Sequence, residues 1–178
     1  TGIGIVISGT MKKGSIKCNQ DLLLGPINGQ YKKVVVKTIH NNDREFIDVL
    51  NAGHSGCFWI KTATSKDKLS RKQIKRGMVL IKDKKCTREF DANIQILHNP
   101  SSIRINYQPV IHCGNIKQAA KVCEITDNET NEHKEILRSG DKAKIKFKFM
   151  FHPEFLEDNS LLVFREGKTK GVGRIISC

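Results

Sequence analysis

Short runs of β-branched and aromatic residues recur along this 178-residue chain, each bounded by turn formers, and almost no stretch has helical periodicity. Ile3, Ile5 and Ile7 alternate with Gly4, Val6 and Ser8, the period-two pattern of a half-buried strand. Val34-Val35-Val36, Cys57-Phe58-Trp59-Ile60 and Met78-Val79-Leu80-Ile81 are further β-rich runs. Others follow at Ile94–Leu97, Ile103–Ile105, Val110–Ile111, Val122–Ile125, Ala143–Phe149 and Leu161–Phe164. Gly9, Gly14, Gly25, Gly29, Gly53 and Gly56 punctuate the first half, and Asn28-Gly29 is a two-residue hairpin turn signal. One short helix is expected over residues 65–76, capped by Ser65 and ended at Gly77. Many short strands at this spacing bury their apolar faces by closing or pairing sheets, so the expectation is an all-β barrel or sandwich architecture.

The stretch from Lys82 to Arg88 is polar and aperiodic and reads as a linker. It divides the chain into two small all-β domains, residues 1–85 and 86–178. Lys and Arg total 31 against 18 Asp and Glu, a net charge of +13 that suits a polyanionic partner. The charge is uneven: residues 1–86 hold 17 basic and 6 acidic side chains, and residues 87–178 hold 14 and 12. The chain is also rich in Ile and Asn, the companions of Lys in AT-rich coding sequences, so charge alone identifies no partner. No apolar run approaches the ~20 residues of a membrane helix, and no secretory leader opens the chain. A cytoplasmic protein with no membrane partner is therefore expected.

Lys142, Lys144, Lys146 and Lys148 alternate with Ala143, Ile145, Phe147 and Phe149. On a strand the ammonium groups repeat roughly every 6.6 Å, close to phosphate spacing on a nucleic-acid strand. The plain alternative is a solvated face over a buried one.

No catalytic constellation emerges. Gly9-Thr-Met-Lys-Lys-Gly14-Ser15 begins like a phosphate-binding loop but lacks the Lys after the second Gly, and it joins two predicted strands rather than a strand and a helix. None of the six cysteines forms a C-x-x-C pair. His112, Cys113 and Cys123 are at best three imaginable metal ligands, and reduced buried thiols are the better reading, so no metal site is expected. Asn128-Glu-Thr130 matches a glycosylation triplet without consequence in a cytosolic chain.

Several strings together resemble one family. Gly2-Ile-Gly4-Ile-Val-Ile-Ser-Gly9-Thr-Met-Lys-Lys-Gly14-Ser-Ile-Lys and Ile74-Lys-Arg-Gly77-Met-Val-Leu resemble the beginning and end of the second domain of elongation factor Tu. Phe90-Asp-Ala-Asn-Ile-Gln-Ile-Leu97, Tyr107-Gln-Pro109, Leu137-Arg-Ser-Gly140-Asp141 and Phe164-Arg-Glu-Gly-Lys-Thr-Lys-Gly171-Val-Gly173 look like signatures of its third domain. Ile39-His40, Tyr107-Gln-Pro-Val-Ile-His112-Cys-Gly114 and Phe164 to Lys170 look most like the eukaryotic GTP-binding protein one/two group. The strings lie in family order over essentially the whole chain.

The resemblance implies two consecutive β-barrels that bind tRNA and the ribosome. GTP, Mg and GTPase activity would belong to a nucleotide-binding domain that this chain is expected to lack and to partner. Carried over by position, Thr10, Lys12 and Gly14 on the first hairpin, with His40, Asn42 and Arg44, would surround the 3′ end of tRNA. Lys117, Gln118, Arg165, Gly167, Lys168 and Lys170 would face the stems. Arg165, Glu166 and Gly167 match the wider family, and the neighbouring lysines match the closer group. Bacterial factors carry Glu where Lys12 and His40 stand, which exchanges an acceptor for a donor or cation at the terminal nucleotide. Ordinary elongation, ribosome rescue and mRNA surveillance all fit this scaffold. A different role for similar barrels is that of the GTPase subunit of some ATP sulfurylases, where they are a protein-docking platform.

Overall fold

A computed structural model of the chain describes residues 5–64, 69–82 and 86–178. The expected strand start at Ile3, the helix cap at Ser65 and the middle of the linker at 83–85 lie outside the described residues. The chain divides into two compact units, Thr1–Lys84 and Lys85–Cys178. Both are built from antiparallel strands, as the all-β reading requires.

In the first unit, β1 (Ile5–Thr10), β7 (Ser55–Thr62), β4 (Gln30–His40), β3 (Asp21–Ile27) and β8 (Val79–Ile81) lie side by side in that order. β5 (Phe46–Ile47) adds to β4, and β2 (Ser15–Lys17) pairs with β6 (Val49–Asn51) as a separate ribbon. Alternation dictates most of the core: Leu22, Leu24, Val34, Val36, Phe58 and Ile60 are buried at period two, and a bulge between Val36 and Thr38 brings Ile39 into the same core. The turn between β3 and β4 is the Asn28-Gly29 pair, with φ of 52° and 79°. Both values are left-handed, as a two-residue turn matched to strand twist demands, and Asn and Gly adopt them most readily.

Over residues 69–76, the described part of the expected helix, no α-helix forms. Its place holds a single 3-10 turn, Arg71–Gln73, capped by Ser70 rather than Ser65. Ser70 Oγ accepts from the Lys72 amide, and Gln73 Oε1 accepts from the Ser70 amide. Ile74 is already extended, at φ −86° and ψ 123°. Leu69, Ile74 and Met78 pack against the sheet core, so these apolar residues serve the sheet rather than one face of a helix.

The second unit is a closed barrel of six strands. β10 (Val110–Cys113), β11 (Ile116–Asp127), β12 (Lys142–Phe149), β9 (Glu89–His98), β14 (Thr169–Ser177) and β13 (Leu161–Glu166) follow one another around the ring, and β13 returns to β10. Its interior packs Phe90, Phe147, Phe149 and Phe164, with ring centroids 5.0 to 6.3 Å apart. The run Ile103–Ile105 is not a strand. Ile103 makes one isolated bridge to Leu137, and the chain then turns at Asn106, φ 73°. β14, by contrast, has no clear signal in the sequence, because Gly171 and Gly173 interrupt its alternation.

Candidate nucleic-acid interface

The segment expected as the first hairpin is a loop instead: β1 pairs with β7 and β2 with β6, so residues 11–14 lie against residues 52–54 rather than joining two paired strands. β1 runs against β7 with Gly9 opposite Gly56 and Thr10 opposite Ser55. The Thr10 and Ser55 hydroxyls lie 2.7 Å apart. Beyond β1 the Met11 amide donates to the His54 carbonyl and the Ala52 amide to the Gly14 carbonyl. Gly14 takes φ +71°. The loop thus joins strand to strand, with no following helix to receive a phosphate. Lys12 stands exposed at its tip and forms no ion pair among the described residues.

β7 places His40 beside this loop. His40 ends β4 opposite Cys57, which in turn lies opposite Ser8. Neighbouring strands are about 4.8 Å apart, so β1 and β4 are separated by roughly 10 Å on one outward face. A Cβ at Gly56 would meet the His40 carbonyl oxygen at 2.7 Å, so only glycine lets the two backbones approach this closely. The loop after His40 is held by Asn41, whose side chain accepts from the Glu45 amide at 2.9 Å and donates to the Glu45 carboxylate at 3.0 Å. Arg44 takes φ +65° in this tight turn. Asn42 and Arg44 are both exposed, and Arg44 has no ion pair among the described residues.

His40 Nδ1 lies 3.3 Å from the Arg44 carbonyl oxygen. A carbonyl only accepts, so this contact selects the tautomer with the proton on Nδ1 and leaves Nε2 as an acceptor. The imidazole also packs on Phe46, with centroids 4.0 Å apart and planes tilted by 49°. Phe46 is 73% exposed. Sequence reasoning missed it, because it follows the polar loop 41–45 and sits in a strand too short to show alternation. An exposed aromatic beside the matched histidine was the available signal.

In the second unit the stem-facing candidates divide. Arg165 and Lys170 are direct cross-strand partners on the β13–β14 hairpin, exposed on the same face. Gly167, φ +57°, and exposed Lys168 form its tip. Lys117 is exposed on β11 opposite His112, which lies opposite Val163, one step along the same face. Gln118 differs. It is 5% exposed, and its carboxamide is consumed internally: Oε1 accepts from the Phe151 and His152 amides, and Nε2 donates to the His152 carbonyl and the Glu154 carboxylate. Alternation explains why, since Lys117 and Gln118 face opposite sides of β11.

The hairpin tip is braced by residues outside the sequence-derived set. Tyr107 Oη donates to Glu166 Oε2 at 2.6 Å, and Thr169 Oγ1 donates to Asn99 Oδ1 at 2.7 Å. Burial, with the Glu166 hydrogen bond, pushes the Tyr107 phenol up to about 12.

Three of the four lysines in the β12 row are occupied by neighbouring carboxylates. Lys144 meets Asp91 at 3.0 Å, Lys146 meets Glu124 at 3.4 Å and Lys148 meets Glu89 at 2.6 Å. The hydrogen bond from Lys148 holds the Glu89 carboxyl below its ordinary value, and that from Lys146 to Glu124 raises the Lys146 ammonium. From Lys144 to Lys148 the row is a solvated, charge-paired face. Among the described residues no group of three His, Cys, Asp or Glu is placed for a metal ion. His112 and Cys113 are adjacent on β10 and face opposite sides, which separates two of the imagined ligands. Among those residues, too, no helix is long and apolar enough to cross a membrane.

The comparisons with known proteins agree with this architecture. Residues 83–178 match the family described as elongation factor Tu C-terminal domain. GTP-binding protein 1 of Xenopus laevis is 38% identical over 98% of this chain, and GTP-binding protein 2 of Homo sapiens is 32% identical over 97%. Elongation factor 1-alpha of Desulfurococcus mucosus is 28% identical over 99% of the chain and is matched over 42% of its own length. The chain spans about a quarter of the two GTP-binding proteins, 25% and 27% of their lengths. A crystal structure of sup35 complexed with GDP superposes with a TM-score of 0.76, covering 99% of this chain and 44% of that one at 23% identity, a likeness of fold. With a family match over residues 83–178, more than half of its length, the chain belongs to the elongation factor Tu C-terminal domain family.

Proposed function

We propose that this chain is the tRNA- and ribosome-binding module of an elongation-factor-like GTP-binding protein, acting in translation elongation or in ribosome-associated quality control. GTP and Mg would be held, and GTP hydrolysed, by a nucleotide-binding domain outside these 178 residues. The work of this chain is binding and positioning. The observation that carries the reading is the outward face joining Thr10, Gly14 and His40 across β1, β7 and β4, with Lys12 and Arg44 unpaired at its margins.

That face offers what an RNA 3′ end requires. The His40–Phe46 pair presents ring surface for a base, His40 Nε2 accepts from a ribose 2′-hydroxyl, and Lys12 and Arg44 meet phosphates. On the second unit Arg165, Lys168, Lys170 and Lys117 are the phosphate contacts for the stems, and Gly167 lets the backbone approach. Gln118 contributes by anchoring the loop at 151–154 rather than by touching RNA.

Fluorescence titration with tRNA at two salt concentrations tests the proposal. Each phosphate contact adds about 0.7 to 0.9 to the slope of log affinity against log salt. A slope of at least about 3 is expected for four or more contacts. A flat salt response would remove the phosphate-contacting surface and the reading with it.

A further inference from the structure

One groove on the outside of the second unit is lined differently from the rest of the barrel. It has a volume of about 510 Å³ and crosses β12, β9, β14 and β13. Leu161, 57% exposed, and Ile176, 41% exposed, line it together with Val172, and Lys142 and Arg174 supply its positive charge. Ile176 faces outward by ordinary strand alternation after the buried Ile175, on the same face as Val172 and Arg174. One isoleucine thus enters the core at 2% exposure while the next lines the groove.

The cations of the groove also stand apart. The other three outward lysines of β12 are matched with Asp91, Glu124 and Glu89. Lys142 continues that row into the groove and forms no ion pair among the described residues; nor does Arg174, whose Nη1 donates to the Asn159 carbonyl at 2.9 Å. Lys142 lies opposite Gln95 and Gln95 opposite Val172, two residues from Arg174. Two strand spacings and two residues of rise separate the two cations by roughly 12 Å at their Cα atoms.

We propose that this groove docks an extended protein segment with the pattern acidic–x–aliphatic–x–acidic. Carboxylates four residues apart on an extended chain are about 13 Å apart, the separation needed to meet Lys142 and Arg174 together. The aliphatic residue between them covers Leu161, Val172 and Ile176. The barrel is closed, so its strands have no free edge and recognition falls to side chains. A nucleic acid fits less well, because phosphates leave the aliphatic residues uncovered and no aromatic ring lines the groove for stacking. The groove is also separate from the proposed stem contacts: Arg165 lies four residues along β13 from Leu161, roughly 13 Å away.

An NMR titration of the isotope-labelled 178-residue chain tests this. The probe is a seven-residue peptide with glutamate at its second and sixth positions, leucine at its fourth and serine elsewhere. Saturable amide shifts are expected at residues 93–95, 142, 159–161 and 172–176, with a Kd near or below about 1 mM. Lys142→Glu and, separately, Leu161→Ser should each weaken binding at least about tenfold, equivalent to about 1.4 kcal/mol, while Lys168→Glu leaves it unchanged. A peptide with glutamine in place of glutamate should also bind at least about tenfold more weakly, which tests the charge without altering the protein. Three results would overturn the proposal: shifts centred on the Arg165–Lys170 hairpin tip, absence of any saturable shift, or equal binding of the glutamine peptide. Larger groove shifts with a uridine oligomer of equal charge would assign the groove to RNA instead. Dilution-dependent shifts of the same residues without peptide would assign it to a second copy of the chain.

Discussion

The β12 face of the second unit and the loop tips of the first use basic side chains in opposite ways. In the second unit, Lys144, Lys146 and Lys148 stand between two strands that carry Glu89, Asp91 and Glu124, and each ammonium finds a carboxylate within 3.4 Å. In the first unit, Lys33 meets Asp21 at 2.8 Å, but Lys12 and Arg44 sit on loop tips with no acid in reach among the described residues. A lysine becomes part of a sheet's surface where the adjoining strand supplies the counter-charge, and stays available to a partner where it does not. Charge counts per segment, 17 basic against 6 acidic for residues 1–86, point the same way but do not identify which cations are free.

The largest expected effect separates the units by their cores. Phe147 is fully buried among Phe90, Phe149 and Phe164, and Phe147→Ala should cost the barrel about 3–5 kcal/mol. Trp59, the only tryptophan, lies in the first unit, so its fluorescence follows that unit while urea unfolding of the barrel is read by NMR. A barrel midpoint unchanged by Phe147→Ala would mean that its aromatic interior does not carry its stability.

Charge reversal sharpens the contrast next. Lys12→Glu combined with Arg44→Glu should weaken tRNA binding about tenfold or more and flatten its salt dependence. Replacing Lys144, Lys146 and Lys148 together by glutamine should change binding less than about twofold, since those charges are already matched. Equal losses from both sets would show that paired and unpaired lysines contribute alike and would erase the distinction.

Smaller effects come from titration. The carboxyl of Glu89 is held low by Lys148, so the pair stabilises the fold above the ordinary carboxyl range and that support is lost as pH falls through the lowered value. Glu89→Gln should lower the barrel's urea midpoint slightly at neutral pH and not at all in strong acid. Tyr107 behaves in the opposite sense. Its phenol titrates at about 12 in the fold, so the neutral form that donates to Glu166 contributes fully below pH ~10 and is lost between ~10 and ~12. Alkaline titration by phenolate absorbance should show one high step that disappears in Tyr107→Phe. A step that survives this substitution would belong to another group.

Much of the candidate site could be read along the chain. The family strings carried Thr10, Gly14, His40, Arg165 and Lys170 to exposed or half-exposed positions at strand ends and hairpin tips. Gln118 was carried over with them, and the barrel turns it inward, because its neighbour Lys117 takes the outward position on β11. Phe46, Tyr107 and Asn99 were not legible as parts of these sites. Their partners, His40, Glu166 and Thr169, come from other strands, and in the last two pairs they lie 59 and 70 residues away.

Strand character over most of the apolar runs and the Asn28-Gly29 turn were determined by sequence alone, because side-chain alternation and left-handed turn preference act between near neighbours. The helix expected over 65–76 failed over its described residues, 69–76, for the complementary reason: Leu69, Ile74 and Met78 gain more by packing on a sheet assembled from elsewhere than by lining a short helix. Tertiary structure alone decided which lysines are neutralised, which strands bring Leu161 and Ile176 to one groove, and how His40 meets Phe46. Those outcomes depend on register between strands, and a one-residue shift in register moves every side chain to the other face.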